Sequence, residues 1–279
     1  LSAVVFEIFP ILGAALAEAS GRVVTDLDAA ALEELREASL TLLYRLLFVL
    51  YAEDRNLLPD ESGPYAEYSL TRLRGEIADK MARGQAFSER MSVYWARLEG
   101  IFDAIAHGNN ELGIPPYNGG LFEPSLSPLL SGAKLPDAVV ADVVFRLSHR
   151  NAGDGRPPRY INYRDLSVQQ LGSVYERILE HGFTVVEGRI APAGDAAARK
   201  GSGSYYTPEE LVRLIIERAV GPLVEERTLA FAERAEAVNN APGGGLGKAV
   251  LVPLDPATRL LELKICDPAM GSGHMLVSL

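Results

Sequence analysis

Cysteine is nearly absent from this sequence, whose 279 residues include one, Cys266. A single thiol excludes an internal disulfide, and the lack of disulfides fits a cytoplasmic protein. Because Cys266 lies in a short apolar run, we expect its thiol to be buried in a strand. The four histidines are scattered, and together with one cysteine they form no metal-ligand pattern.

The sequence is also short of positive charge and of long apolar runs. Its formal net charge of −10 argues against a surface that is basic throughout, although a local basic patch stays open. The very apolar segment 40–51 is too short to span a bilayer and contains Arg45. The N-terminal apolar run has no basic leader, and Glu7 and Pro10 interrupt it, so we expect neither a signal peptide nor a membrane segment. Because no initiator Met is present, we expect the chain to be cut from something longer.

Apolar residues at helical spacing run through most of the chain and predict a mainly α fold. The clearest helix spans 29–54, with Asp28 among its candidate caps, and its nearly continuous apolarity predicts burial on most faces. Asp137 is predicted to cap a helix of its own, and Thr207 and Pro208 are typical of a helix start. The other predicted elements are helices over about 69–83, 87–107, 137–149, 165–180, 207–218 and 222–238, and strands over 183–190 and 260–266.

One basic segment, 146–164, stands out in this acidic chain. It contains five arginines and His149 against one acid, Asp154. The segment is either a solvated loop whose arginines form ion pairs or a surface that contacts DNA phosphates. In the second interpretation the contacting residues are Arg150, Arg156 and Arg159.

The most informative stretch is the last one, 260–277. An apolar run is followed by Asp267, by the tight Gly271-Ser272-Gly273 and by a second apolar run, which predicts a strand, a sharp turn and a helix. Turns of this kind bind cofactors because glycine lets the backbone approach a ligand and the helix start offers free N–H groups. The dinucleotide fingerprint is excluded, since its third glycine would stand at 276, which is leucine.

Two motifs in this order resemble those of a known enzyme class. The segment Gly203-Ser-Tyr-Tyr-Thr-Pro208 looks like motif X, and Asp267-Pro-Ala-Met-Gly-Ser-Gly273 looks like motif I, of the amino-methyltransferases that use S-adenosylmethionine to methylate adenine N6 in DNA. Motif X before motif I is similar to their gamma class. The segments 43–59, 117–124 and 165–176 look like the helical region of type IIG and IIL restriction–modification enzymes and of their relatives in BREX phage defence.

The resemblance implies a cofactor, S-adenosylmethionine, and a role for each matching residue. Gly271 and Gly273 would close the turn over its methionine part, Asp267 would meet its ammonium group, and Thr207 at a helix start would receive its carboxylate. The implied cofactor-binding residues are Tyr206, Thr207, Pro208, Asp267, Ala269, Gly271 and Gly273.

The Asn/Asp-Pro-Pro-Tyr/Phe catalytic motif of that class is absent. Pro115-Pro116-Tyr117 precedes motif I, whereas the catalytic motif follows it. The resemblance thus implies a helical N-terminal domain over 1–198 and, over 199–279, the truncated start of an α/β Rossmann-like methyltransferase domain. Such a chain is expected to be inactive alone, with double-stranded DNA and restriction or defence-system subunits as partners of the complete protein. Two alternatives remain: a non-catalytic helical module that binds DNA or subunits, and a methyltransferase with another substrate.

Overall fold

The protein folds into two compact units, Leu1–Gly203 (unit 1) and Ser204–Leu279 (unit 2). The computed structural model describes residues 2–59, 63–117, 120–150, 158–166, 170, 172, 174, 178, 181–194, 207, 209–240, 251–268 and 274–279. Helix dominates these residues, and their sheets have two strands each, which confirms the predicted mainly α fold. The predicted domain boundary at 198/199 stays a prediction.

Unit 1 is built around its longest helix. Its helices are α1 (Ser2–Ala19), α2 (Ala29–Asp54), α3 (Leu70–Ala82), α4 (Val93–His107), α5 (Pro128–Gly132) and α6 (Asp137–Ser148), and its strands are β1 (His149–Arg150), β2 (Arg159–Tyr160), β3 (His181–Val186) and β4 (Arg189–Gly194). Helix α2 packs against α1, α3, α5 and α6. It has the predicted bounds, and the predicted cap is confirmed because Asp28 Oδ1 accepts a hydrogen bond from the Ala31 amide at 2.7 Å.

The core of unit 1 accounts for most of the predicted apolar stripes. Leu43 and Val49 of α2 are fully buried, and Trp95 of α4 is 2% exposed, as expected of a core residue. Helix α4 begins at Val93 rather than at 87, and Met91 before it is exposed. In the predicted helix 165–180, the described positions 170, 172, 174 and 178 are helical, but the predicted start is wrong, because Asp165 ends a 3-10 helix (Tyr163–Asp165) and Leu166 belongs to no regular element.

Asp137 does not cap its own helix, which corrects one prediction. Pro136 occupies the cap position of α6, and the Asp137 carboxylate instead accepts a hydrogen bond from the Tyr94 amide at 2.8 Å. That amide belongs to the first turn of α4, where backbone donors lack partners within the helix. The sequence shows a capping side chain but not which nearby helix start it will reach.

The single strand predicted over 183–190 is in fact a hairpin. Strands β3 and β4 pair antiparallel around Glu187 and Gly188, whose φ angles of 50° and 74° are typical of a two-residue type I′ turn. The hairpin packs on α1, where the Phe9 and Phe183 rings lie 4.3 Å apart. A Cβ at Gly13 would stand 2.7 Å from the Phe183 ring, so this glycine permits the close approach.

Unit 2 contains α7 (Glu209–Ala219), α8 (Gly221–Asn239), α9 (Pro256–Leu261) and α10 (His274–Ser278). The strand predicted over 260–266 is wrong: α9 continues to Leu261, and 263–267 form no regular element. A strand needs hydrogen bonds from a neighbouring strand, and the described part of unit 2 contains none. Cys266 is consequently exposed rather than buried. Among the described residues, no helix is long and apolar enough to cross a bilayer.

Candidate cofactor and nucleic-acid sites

Thr207 and Asp267 represent the two methyltransferase-like motifs in the described part of the chain. Thr207 is exposed and stands two residues before α7 begins at Glu209, so the helix predicted after this motif is present. The predicted capping arrangement involves Pro208, which lies outside the described residues. The predicted cofactor residues Tyr206, Pro208, Ala269, Gly271 and Gly273 all lie outside them.

Unit 2 brings the surroundings of the two motifs together. Asp267 is partly buried and ends the irregular segment after α9, and α10 begins at His274, the residue after Gly273 in the sequence. Helix α10 packs against α7. The helices that follow the two motifs are therefore neighbours, although the motifs lie some sixty residues apart in the chain.

A buried carboxylate at the end of α2 organises a polar centre that sequence reasoning missed. Glu53 accepts hydrogen bonds from the Tyr65 hydroxyl at 2.6 Å and from the Leu70 amide at 2.7 Å. It also accepts from the amide and the hydroxyl of Thr71, both at 2.7 Å. Burial raises the pKa of the Glu53 carboxyl, and these four donors oppose that rise because they favour the ionised form. Glu53 thus supplies acceptors to the open N-terminus of α3, which is a structural role.

The next residue, Asp54, connects the basic segment 146–164 to the C-terminal end of α2. Its carboxylate forms an ion pair with Arg74 at 2.9 Å and accepts a hydrogen bond from the Tyr163 amide at 2.8 Å. Its backbone carbonyl accepts from Arg164 Nε at 2.8 Å. Arg74 also lies over the Tyr160 ring, 5.2 Å from its centroid. The acid pair Glu53-Asp54 at the end of a long apolar helix was the only sequence signal for these anchors.

The arginines of the basic segment fall into different environments. Arg146 is paired with Asp142 at 2.8 Å and with Glu7 at 3.3 Å, so the ion-pair interpretation is correct for this residue. Arg150 and Arg159 are exposed and directly opposite each other in the β1–β2 ladder. Neither has a carboxylate within ion-pair distance among the residues that the structure describes. Arg156 lies outside those residues.

His149 lies beneath the β1–β2 ladder and is 7% exposed. Its ring stacks on Phe145 at 4.5 Å and contacts Tyr160 at 4.4 Å. Burial lowers the pKa of His149, a backbone hydrogen bond with Phe145 opposes this shift, and the positive charge of Arg74 lowers the pKa further. The lowered pKa favours the neutral imidazole, which packs between aromatic rings beneath the ladder.

The described residues contain no cluster of three or more histidine, cysteine, aspartate or glutamate side chains suited to a metal ion.

Comparison with known proteins finds one similar curated protein and no matching family model or solved structure. The chain is 24% identical over 260 residues to a protein of Methanocaldococcus jannaschii that bears the name "putative type II restriction enzyme and methyltransferase". The match covers 87% of this chain and 20% of the relative, so the chain spans about a fifth of the length of this curated relative.

Proposed function

We propose that this chain is the N-terminal part of a DNA adenine-N6 methyltransferase of a restriction–modification or phage-defence system. The observation that carries the proposal is the pair of methyltransferase-like motifs, 203–208 and 267–273, in the order of the gamma class. The contact between α7 and α10, which follow these motifs, supports a shared pocket. The similarity to a protein named as both restriction enzyme and methyltransferase extends the support over most of the chain.

The residue chemistry of unit 2 fits the methionine part of S-adenosylmethionine, which carries an ammonium and a carboxylate. Asp267 offers an acid to the ammonium, and Thr207 offers a hydroxyl beside the N-terminus of α7 to the carboxylate. Both side chains reach solvent, so a ligand can approach them. The bound cofactor would supply an electrophilic methyl group, and these residues would hold it in place for direct transfer to the adenine amino group.

The adenine side of the reaction is not assigned to this chain. An enzyme of this class must extrude the base from the duplex and hold its amino group. The sequence contains no Asn/Asp-Pro-Pro-Tyr/Phe motif after motif I that would do so. The proposal therefore gives unit 2 one side of the cofactor pocket and gives unit 1 the role of a helical support.

The test is transfer of tritiated methyl groups from S-adenosylmethionine to duplex DNA by the complete gene product that includes this chain. Asp267→Ala should weaken cofactor binding at least tenfold, because a hydrogen bond to a charged group contributes about 1.5–3 kcal/mol. Glu262→Gln is the matched control, since Glu262 is an exposed acid of unit 2 outside both motifs. Nucleoside analysis should find the label as N6-methyl-2′-deoxyadenosine.

Each alternative has its own signature in this experiment. Cofactor binding with methyl transfer to protein or small molecules, and none to DNA, would favour a methyltransferase with another substrate. Equal affinity of Asp267→Ala and the wild type for S-adenosylmethionine would contradict the proposed role of Asp267 in cofactor binding. A gene product that binds DNA or subunits but no S-adenosylmethionine would identify a non-catalytic helical module.

A further inference from the structure

The outward face of the β1–β2 ladder, here called the arginine ribbon, presents Arg150 and Arg159 side by side. The two residues are direct partners in the antiparallel register, as are His149 and Tyr160. Directly opposite side chains lie on the same face with Cβ atoms about 4.5–5.5 Å apart, and successive pairs alternate between faces. Since His149 is buried, Arg150 and Arg159 lie on the solvent face.

The rest of unit 1 fixes this pair in place. A two-residue ladder is marginal by itself, but its inner face packs through His149 onto Phe145 of α6. The Ile161 amide donates to the Ser148 carbonyl at 2.9 Å, and the Tyr163 hydroxyl donates to the Leu147 carbonyl at 2.7 Å. The ladder that carries the two exposed guanidinium groups is thus stabilised by contacts with α6.

The pair is electrostatically uncompensated among the described residues. Like charges directly opposite each other on a ladder are destabilising, and the ion pairs of the described residues join Asp142 to Arg146 and Asp54 to Arg74 rather than to Arg150 or Arg159. Arg164, on the same anchored segment, is exposed and uses its Nε on the Asp54 carbonyl. Three cations therefore project from one segment of a chain whose net charge is −10.

We infer that the arginine ribbon binds the sugar–phosphate backbone of duplex DNA and does so without reading base sequence. Guanidinium groups carry donors only and match phosphate oxygens in a bidentate fork, so an anion relieves the repulsion between Arg150 and Arg159. Phosphate contacts of this kind fix the position of a protein on the duplex. The inference rests on the proposed function for the choice of DNA as the polyanion, and the residues that it assigns belong to unit 1 and to neither cofactor motif.

The experiment measures binding of the whole 279-residue chain to a short fluorescein-labelled duplex by anisotropy at several KCl concentrations. Each phosphate contact contributes roughly 0.9 to the slope of log K against log salt, so Arg150→Gln/Arg159→Gln should flatten the slope by about 2. The double substitution should weaken binding to unrelated duplexes equally. Arg150→Lys/Arg159→Lys should keep most of the slope, since lysine retains the charge.

Arg83→Gln/Arg90→Gln is the matched control because it removes the same charge from two other exposed positions of unit 1. It should leave the slope as in the wild type. Equal flattening by the control and the ribbon variant would show a general charge effect and overturn the inference, as would an unchanged slope in the ribbon variant or no DNA binding by the wild type. Cofactor binding, measured separately by calorimetry on the same variants, tests the proposed function, so the two can fail independently.

Discussion

The two units differ in how much of their apolar surface is removed from water. In unit 1, α1, α2, α3, α4 and α6 all contribute fully buried side chains to one core. Among the described residues of unit 2, Val212 is the buried apolar side chain, at 2% exposure, whereas Leu229 is 62% and Leu261 89% exposed. Both units contain helices, so helix content alone does not reveal how deeply the described apolar side chains of each unit are buried.

The difference between the units shows that helix propensity and capping can start a helix but do not by themselves bury its apolar side chains. Isolated helices shorter than about 12–15 residues are marginal in water, and α9 and α10 have 6 and 5 residues. Asp255 caps α9 by accepting hydrogen bonds from the amide and the hydroxyl of Thr258, but a cap satisfies donors without removing apolar surface from water. Unit 1 adds burial, which contributes about 1.5–3 kcal/mol for each large side chain that is fully removed from water.

The largest expected contrast comes from the same substitution in each unit. Leu43→Ala empties a fully buried position of α2 and should reduce the free energy of unfolding by about 2–5 kcal/mol. Leu261→Ala changes a side chain that is 89% exposed, and its effect should stay within about 0.5 kcal/mol. Urea unfolding followed by far-UV circular dichroism measures both. Similar losses from the two variants would mean that Leu261 is buried in solution and that unit 2 has a core.

A smaller contrast is expected between two acids that accept hydrogen bonds at a helix start, Glu53 in unit 1 and Asp255 in unit 2. Each Glu53 carboxylate oxygen accepts from one backbone amide and one hydroxyl. Glu53→Gln replaces one of these oxygens with an NH2 group, so the Leu70 or the Thr71 amide loses its acceptor, whereas a hydroxyl can turn and accept instead. A buried donor left without a partner costs about 1–3 kcal/mol. Asp255→Asn, the matched change in unit 2, should alter stability little, because asparagine caps a helix as well as aspartate does.

Thermal unfolding at neutral pH measures this second pair. A Glu53→Gln variant as stable as the wild type would show that the carboxylate is not the main acceptor for the start of α3. The loss of stability in Glu53→Gln should be confined to unit 1. Hydrogen exchange of the α7 and α8 amides, which belong to unit 2, should therefore be the same in the variant and the wild type.

How far the sequence predicted these features depends on how local their causes are. The bounds of α2 were predicted correctly because their causes are local: the apolar positions lie within the helix, and its cap, Asp28, directly precedes it. The strand over 260–266 was wrong because a strand is completed by a partner elsewhere in the chain. Asp137 was recognised as a cap, but the helix that it serves, α4, is brought to it by tertiary packing.

The candidate sites divide in the same way. The motifs around Thr207 and Asp267 are contiguous, so the sequence alone could single them out. The pairing of Arg150 with Arg159 depends on strand register, and the neutralisation of Arg146 by Glu7 joins residues 139 positions apart. Sequence reasoning could therefore name a basic segment but could not separate its paired arginines from its exposed ones.

The smallest expected effects concern two exposed glycines of unit 1, where local backbone preference should dominate over packing. Gly188 has a φ of 74° in the β3–β4 turn, and Gly188→Ala should cost about 1 kcal/mol because a Cβ disfavours that conformation. Gly100 lies within α4 and a Cβ there meets nothing within 4 Å, so Gly100→Ala should stabilise unit 1 by about 0.5–1 kcal/mol. Urea midpoints of the two variants should move in opposite directions. A lower urea midpoint for both variants would show that packing rather than backbone conformation controls these two positions, and that Gly100 is not exposed in the way its surroundings indicate.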